Sequence, residues 1–335
     1  MRLGEGQCQH RWTGGRRAAG GIGAASLEDL HTTSYPAAPG QKEGVMHMGK
    51  DDLAIKRIKT ASEIAQSRGM GPLYVGYSGG KDSTVLADLA IRAGIPIEIA
   101  HNHTTIDAPE TVYFVRGEMT RFEAMGAKAL VYMPRYKGKS VSMWTLIPQK
   151  LMPPTRVVRY CTSVLKQSHS AGRFSLTGVR WDESARRKKT RGIFEVDHAD
   201  PSKRLIIKSD YDLAGLTTRK GKLVCNPIVD WTEKDVWDYI KDRHLPYNPL
   251  YNEGCKRIGC IGCPMAGKHR WTEFARWPAY EKLYIMAFDR MLEERARRGK
   301  LKGAWDMGAT GRDVFHWWME DGVLPGQIEM DDLLV

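Results

Sequence analysis

The hexapeptide Ser78-Gly79-Gly80-Lys81-Asp82-Ser83 constrains this chain more than any other segment, because of what flanks it. Leu73 to Tyr77 reads as a short buried strand and Thr84 to Arg92 as a helix, so the six residues form a strand-to-helix turn. Glycines in such a turn let the main chain approach an anion closely, and the free N–H groups at the helix start point at it. Lys81 adds positive charge, and Ser78 and Ser83 offer hydroxyl donors. The segment is not a Walker A loop, which needs Gly-x-x-x-x-Gly-Lys-Ser/Thr. Gly138-Lys139-Ser140 fails the same pattern, since Met133 stands where the first glycine belongs. A solvated glycine-rich connector is the bland alternative, and the strand-to-helix setting weighs against it.

The surrounding periodicities give the fold class. Ala54, Ile58, Ala61 and Ala65 recur at helical spacing between Asp51 and Gly69. Ile97–Ala100, Ala129–Tyr132 and Ser175–Val179 read as strands, and Glu110–Met125 as a helix closed by Gly126. Thr232 with Asp235 three residues on marks a helix start. Tyr280, Leu283, Tyr284, Ala287, Phe288, Met291 and Leu292 form a helical stripe that packing explains. Strands alternating with helices predict an α/β protein with a doubly wound parallel, Rossmann-like sheet and a helical C-terminal region. Residues 1–45 are rich in Gly, Ala, Arg and Ser without an apolar period, and read as a disordered extension in which Cys8 has no role. Met46 and Met48 are alternative starts. The expected organisation is 1–45 extension, 46–265 phosphate-loop domain and 266–335 helical region. No apolar run approaches the roughly 20 residues of a bilayer span, and Arg2 is not followed by an apolar leader. A soluble, cytoplasmic protein with no membrane partner is expected.

Charge narrows the partner. Lys and Arg number 51 against 39 Asp and Glu, giving +12, which favours a nucleotide, a nucleic acid or a sulfate-type substrate. Ten of the basic residues fall between Arg156 and Arg191, against two acidic ones. Arg180 and Arg186 suit bidentate contact with phosphate or sulfate oxygens. For Lys188, Lys189 and Arg191 a solvated charge run is an equal reading.

Several motifs in a fixed order carry a resemblance over about residues 70–265. The hexapeptide resembles the pyrophosphate-binding PP-loop of the adenine-nucleotide alpha-hydrolase superfamily. His103-Thr104-Thr105-Ile106-Asp107-Ala108-Pro109-Glu110-Thr111 is similar to the Asp-Thr-Gly…Pro-Glu-Thr segment of its phosphoadenylyl-sulfate (PAPS) reductase branch, with His103 in place of the Asp. Gly178-Val179-Arg180 with Ser184 to Arg187 resembles that branch's Gly-x-Arg…Ser-x-x-Arg segment. Asn226–Trp231 and Tyr247–Tyr251 look like its later landmarks. The resemblance implies binding of ATP or a PAPS-like adenylated nucleotide by Ser78, Gly79, Gly80, Lys81, Asp82, Ser83, Glu110, Arg180 and Arg186. Lys81, Asp82 and Arg186 would act in the reaction, with Mg2+ offsetting charge on pyrophosphate.

Of six cysteines, Cys255, Cys260 and Cys263 crowd into nine residues. Three thiolates so spaced need one further ligand, and Cys161 is the best fourth. Arg159-Tyr160-Cys161 resembles the place where cluster-bearing adenylyl-sulfate reductases carry a Cys-Cys pair, and Cys260–Cys263 their closing Cys-x-x-Cys. The reading is a 4Fe-4S cluster, with a structural Zn2+ as the alternative, since spacing does not separate them. His269 is a conceivable substitute ligand, and Cys225 reads as a core residue.

Reductases of this branch attack sulfur with a thiol in a C-terminal tail, whereas no cysteine follows Cys263 here. The expected function is therefore sulfur transfer. An acceptor, DNA or RNA among the candidates, would be adenylated with pyrophosphate release, and a sulfur or electron donor protein would complete the reaction. Relatives that thiolate nucleic acid, including the DNA phosphorothioation enzymes, pair such a loop with an iron–sulfur site. The alternatives are a PAPS or adenylyl-sulfate reductase using Cys225 or an external thiol, and a non-catalytic nucleotide- or nucleic-acid-binding module.

Overall fold

Among the described residues the strands are β1 (Leu73–Gly76), β2 (Ile97–Asn102), β3 (Lys128–Tyr132), β4 (Arg135–Tyr136), β5 (Lys139–Ser140), β6 (Ser175–Leu176), β7 (Phe194–Asp197), β8 (Leu205–Ile207) and β9 (Lys222–Cys225), most of them short apolar runs. The helices are α1 (Lys50–Ser67), α2 (Lys81–Arg92), α3 (Pro109–Ala124), α4 (Met143–Lys150), α5 (Ala185–Thr190), α6 (Glu233–Asp242), α7 (Arg270–Arg276), α8 (Pro278–Arg297) and α9 (Gly311–Met319). The computed structural model describes residues 49–211, 213, 215–300 and 308–320. The expected extension with Cys8, the alternative starts Met46 and Met48, and Trp305 lie outside the described residues.

Seven strands form one sheet in the order β3-β2-β1-β6-β9-β7-β8, and β4 and β5 form a separate ribbon. The five strands from β3 to β9 run parallel, as the strand–helix alternation predicts. β7 pairs antiparallel with both β9 and β8, so one edge of the sheet departs from the all-parallel expectation. The expected strand from Ser175 to Val179 stops at Leu176. Its continuation bends toward α2, where Gly178 lies so close that a Cβ would stand 3.0 Å from the Asp82 carbonyl oxygen. Because β1 has β2 on one side and β6 on the other, the chain direction switches at its C-terminal end. In open α/β sheets that crevice is where ligands bind.

Two apolar cores follow from this layout. The first fills the sheet faces with Ile58 of α1, Leu86 and Leu89 of α2, Phe122 of α3 and Phe174, Phe194 and Trp231. The second draws on α4, α7, α8 and α9 through Leu146, Phe274, Tyr284, Phe288, Phe315 and Trp318, with Tyr160 and Cys260 inside it. The stripe on α8 buries Tyr284, Ala287, Phe288, Met291 and Leu292 as expected, whereas Leu283 is 37% exposed. Tyr280 stays half-buried, its hydroxyl donating to the Asp107 carbonyl at 2.8 Å. Among the described residues no helix is long and apolar enough to cross a membrane.

Candidate nucleotide site and cysteine cluster

The phosphate loop sits between β1 and α2, and α2 begins at Lys81, a turn earlier than periodicity indicates, with Gly80 as its N-cap. Lys81, Asp82 and Ser83 therefore belong to the first helical turn, where main-chain N–H groups lack intrahelical partners. Gly79 has φ +76°, and a Cβ there would stand 2.7 Å from Val115 Cγ2 on α3. Glycine is thus required both by conformation and by the close approach of α3. Ser83 ties the bend together: its hydroxyl donates to the Gly80 carbonyl at 2.8 Å and accepts from the Ser78 N–H at 3.2 Å.

The Lys81 side chain is 6% exposed, with its ammonium 3.4 Å from Glu233 and 3.7 Å from Asp82. Asp82 also accepts from Arg180 Nε at 2.5 Å. Arg180 is itself buried and reaches Asp182 at 3.4 Å. Arg180 is therefore fixed against the loop through Asp82. The expected partner Arg186 instead projects from α5 as an exposed residue. Half-buried Arg187 is the α5 arginine that senses Asp82 and Arg257, and burial pushes its guanidinium below the usual range while Glu183 opposes this. Glu110 opens α3 on the side of α7, where it accepts from Arg276 at 2.9 Å. Burial would raise its carboxyl, but its own main-chain N–H and Arg276 hold it below the usual carboxylate range.

Tyr251 is a site residue that sequence reasoning located in a landmark without assigning it a role. Its hydroxyl accepts from the Lys81 N–H at 3.0 Å, and its ring lies 5.5 Å from the Lys81 ammonium. Burial chiefly pushes its phenol up to about 12, so it is neutral at physiological pH. A cleft beside Tyr251 is lined by Glu233, Trp237, Tyr247, Asn252 and Cys255. Nothing short-range signals the Lys81–Tyr251 pair, because 170 residues separate them.

Cys260 lies in the second core and Cys161, Cys255 and Cys263 pack against it; Cys263 acts on both Cys161 and Cys260, whereas Cys255 faces Arg276 and Glu253. Cys260 is buried, and burial pushes its thiol up to about 11 against the pull of Lys166. Lys166 keeps an exposed stem while its ammonium bonds Cys260, which raises it above its ordinary range. Burial followed by the nearby Cys263 raises Cys161 as well. Fully buried Tyr284 feels Cys260, Cys263 and Cys161 together and donates to the Ile261 carbonyl at 3.1 Å. His269 pairs instead with Thr272 at 3.0 Å. Cys225 is fully buried in the first core, as expected, and burial pushes its thiol far up. That enclosure removes Cys225 as the reductive thiol of the alternative reading.

The phosphoadenosine phosphosulfate reductase domain model matches residues 72–266, more than half of the 335 residues. The chain is 27% identical over 275 residues to an uncharacterized protein of Methanocaldococcus jannaschii, covering 79% of this chain and 58% of that one. It is 29% identical over 109 residues to the adenosine 5'-phosphosulfate reductase of Salinibacter ruber, covering 32% and 35%. The chain thus spans less than two thirds of the length of these curated relatives. Among solved structures it is similar to the PAPS reductase of Candida auris in complex with phosphate, with a TM-score of 0.41, 19% identity and coverage of 66% and 98%.

Proposed function

This chain belongs to the phosphoadenosine phosphosulfate reductase family, and from that premise we propose that it binds ATP at the Ser78–Ser83 loop and catalyses sulfur transfer with release of pyrophosphate. The observation that carries the reading is the loop itself: a glycine bend opening α2, with buried Lys81 at its first turn and Arg180 locked to Asp82. In the proposed step an acceptor oxygen attacks the α-phosphorus, the bond to the bridging oxygen breaks, and its electron pair leaves on pyrophosphate. The loop amides and Lys81 stabilise the charge that develops on that leaving group. A sulfur nucleophile then displaces AMP from the adenylated acceptor. Asp82 and Glu233 flank the Lys81 ammonium and are the carboxylates that would hold Mg2+, which would offset further phosphate charge. Exposed Arg186, Lys188 and Lys189 on α5 suit an anionic acceptor such as DNA or RNA.

The cysteine set is read as the place of a 4Fe-4S cluster, with a structural Zn2+ as the alternative, since both take four thiolates. Among the described residues no three of the four cysteines have their sulfur atoms all within 4.8 Å of one another, so as they stand they are not gathered around one tetrahedral ion. Cys161, Cys255, Cys260 and Cys263 would hold the cluster, and when bound it would supply a site for sulfur or electrons. The family's own chemistry supports a second reading, reduction of an adenylated sulfate with a thiol from a partner protein.

The test is ATP turnover by anaerobically purified protein, with and without nucleic acid. Pyrophosphate release is expected, and Lys81→Ala should weaken binding of a non-hydrolysable ATP analogue by roughly 10–100-fold, the loss of one charge-assisted contact. Unchanged binding in that variant contradicts the loop assignment. Sulfite formation from adenylated sulfate with thioredoxin, without pyrophosphate release from ATP, favours the reductase.

A further inference from the structure

We propose that His101, His103 and Asp107 form a binding site for a first-row divalent transition metal, separate from the cysteine set. A ring nitrogen of each histidine and a carboxylate oxygen of Asp107 lie all within 4.8 Å of one another. His101 and Asp107 are buried and His103 is half-buried. The site combines the end of β2 with the turn into α3, so its ligands come from one short stretch whose ends are pinned by the sheet and by α3.

Hydrogen bonding around these ligands matches what metal ligation requires. His101 Nδ1 stands 3.0 Å from the Tyr77 carbonyl oxygen. A carbonyl can only accept, so Nδ1 carries the proton and Nε2 keeps its lone pair. Orientation of a ligating imidazole by a main-chain carbonyl is the usual outer-shell arrangement. Asp107 is held by the Thr104 N–H at 3.2 Å on one oxygen, while the Cys260 thiol approaches the other at 3.8 Å. Two positive groups face the site and reduce its affinity: Arg116 acts on His103, and the Lys166 ammonium acts on Asp107.

Two imidazoles and one carboxylate suit zinc or ferrous iron better than magnesium or calcium, which prefer oxygen ligands. Three protein ligands leave coordination positions open. Tyr77 directly precedes Ser78, so the carbonyl that orients His101 belongs to the strand feeding the phosphate loop. A metal here would sit behind that loop, beside the residue that touches Cys260. The inference needs neither ATP turnover nor an iron–sulfur cluster.

The experiment is titration with Co2+, under anaerobic conditions, of the full-length chain carrying Cys161→Ser, Cys255→Ser and Cys263→Ser, which removes the thiolate set, read by absorption spectroscopy and by calorimetry. Expected is about one ion with weak d–d bands and no sulfur-to-cobalt charge transfer, as nitrogen and oxygen ligands give. His103→Gln and Asp107→Asn should each weaken that binding by more than the roughly 10–100-fold that losing an outer-shell partner costs. Circular dichroism and thermal melting of both variants establish that they fold. Absence of cobalt binding in that chain, with His101, His103 and Asp107 intact, overturns the proposal. So does binding with a thiolate charge-transfer band, or binding that both folded variants retain. With those three thiols removed, neither nucleotide binding nor cluster assembly enters the cobalt readouts, which separates this proposal from the preceding one.

Discussion

At the scale of single residues, the loop glycines show how steric demand and function coincide. Gly79 and Gly69 both hold positive φ, but a Cβ at Gly69 meets nothing within 4 Å whereas one at Gly79 drives into Val115 and Thr111. Gly69→Ala therefore carries the conformational cost alone, about 1–2 kcal/mol. Gly79→Ala adds a clash that forces either α3 or the loop to move, a further cost of about 1–3 kcal/mol. Urea denaturation should place Gly79→Ala below Gly69→Ala in stability, and only the former should weaken nucleotide binding. Equal stability in the two variants would mean that α3 yields freely. The sequence made this glycine legible because strand, turn and helix are adjacent. It did not reveal Tyr251, Glu233 or Arg187, since their roles depend on contacts across the fold or on which face of a short helix turns inward.

Among the elements, those with local signals were readable and those stabilised by tertiary packing were not. The Thr232–Asp235 pattern is realised as a reciprocal cap at the start of α6: Thr232 accepts from the Asp235 N–H, and Asp235 accepts from the Thr232 N–H at 2.7 Å. The edge strands β7 and β8 went unread because an antiparallel pair within an alternating α/β pattern has no strong period of its own. α5, with a run of basic residues and no apolar stripe, resembled a charged loop. The α6 cap makes a pH-dependent prediction. Burial would raise the Asp235 carboxyl, but Lys50 and Thr232 outweigh it and bring it down to about 2 from an ordinary value of 3.8. A depressed carboxylate contributes stability that is present above the unfolded-state value and lost as pH falls through the folded-state value. Asp235→Asn should therefore cost about 1 kcal/mol at neutral pH, and its difference from the wild type should vanish between pH 3.8 and about 2. A pH-independent difference in chemical denaturation would show that the charge is not what holds the cap.

For the whole molecule, the informative fact is that two cores meet along the site. The sheet core was legible from apolar periodicity, as was the α8 stripe of the second core, whereas the rest of that core was not, because it gathers α4, Tyr160, Cys260, α7 and α9 from segments far apart in sequence. The link between them is specific. Tyr251 accepts a hydrogen bond from the Lys81 N–H of the phosphate loop at 3.0 Å and stands four residues before Cys255 of the cysteine segment. The Ile261 N–H donates to the Ile106 carbonyl at 2.8 Å, joining that segment to the turn after β2. Ligand bonds from four cysteines on this frame would add their free energy to the second core and little to the sheet. Removing the proposed cluster should thus act regionally. Iron chelation, or Cys260→Ser, should speed amide hydrogen exchange in α8 and α9 by at least about 10-fold, equivalent to a local loss of about 1.4 kcal/mol. α1 and α2, which pack on the sheet, should keep their wild-type protection. Uniform acceleration across both regions would mean that the cores unfold as one unit, and no acceleration anywhere would mean that the cysteines do not bind a stabilising group.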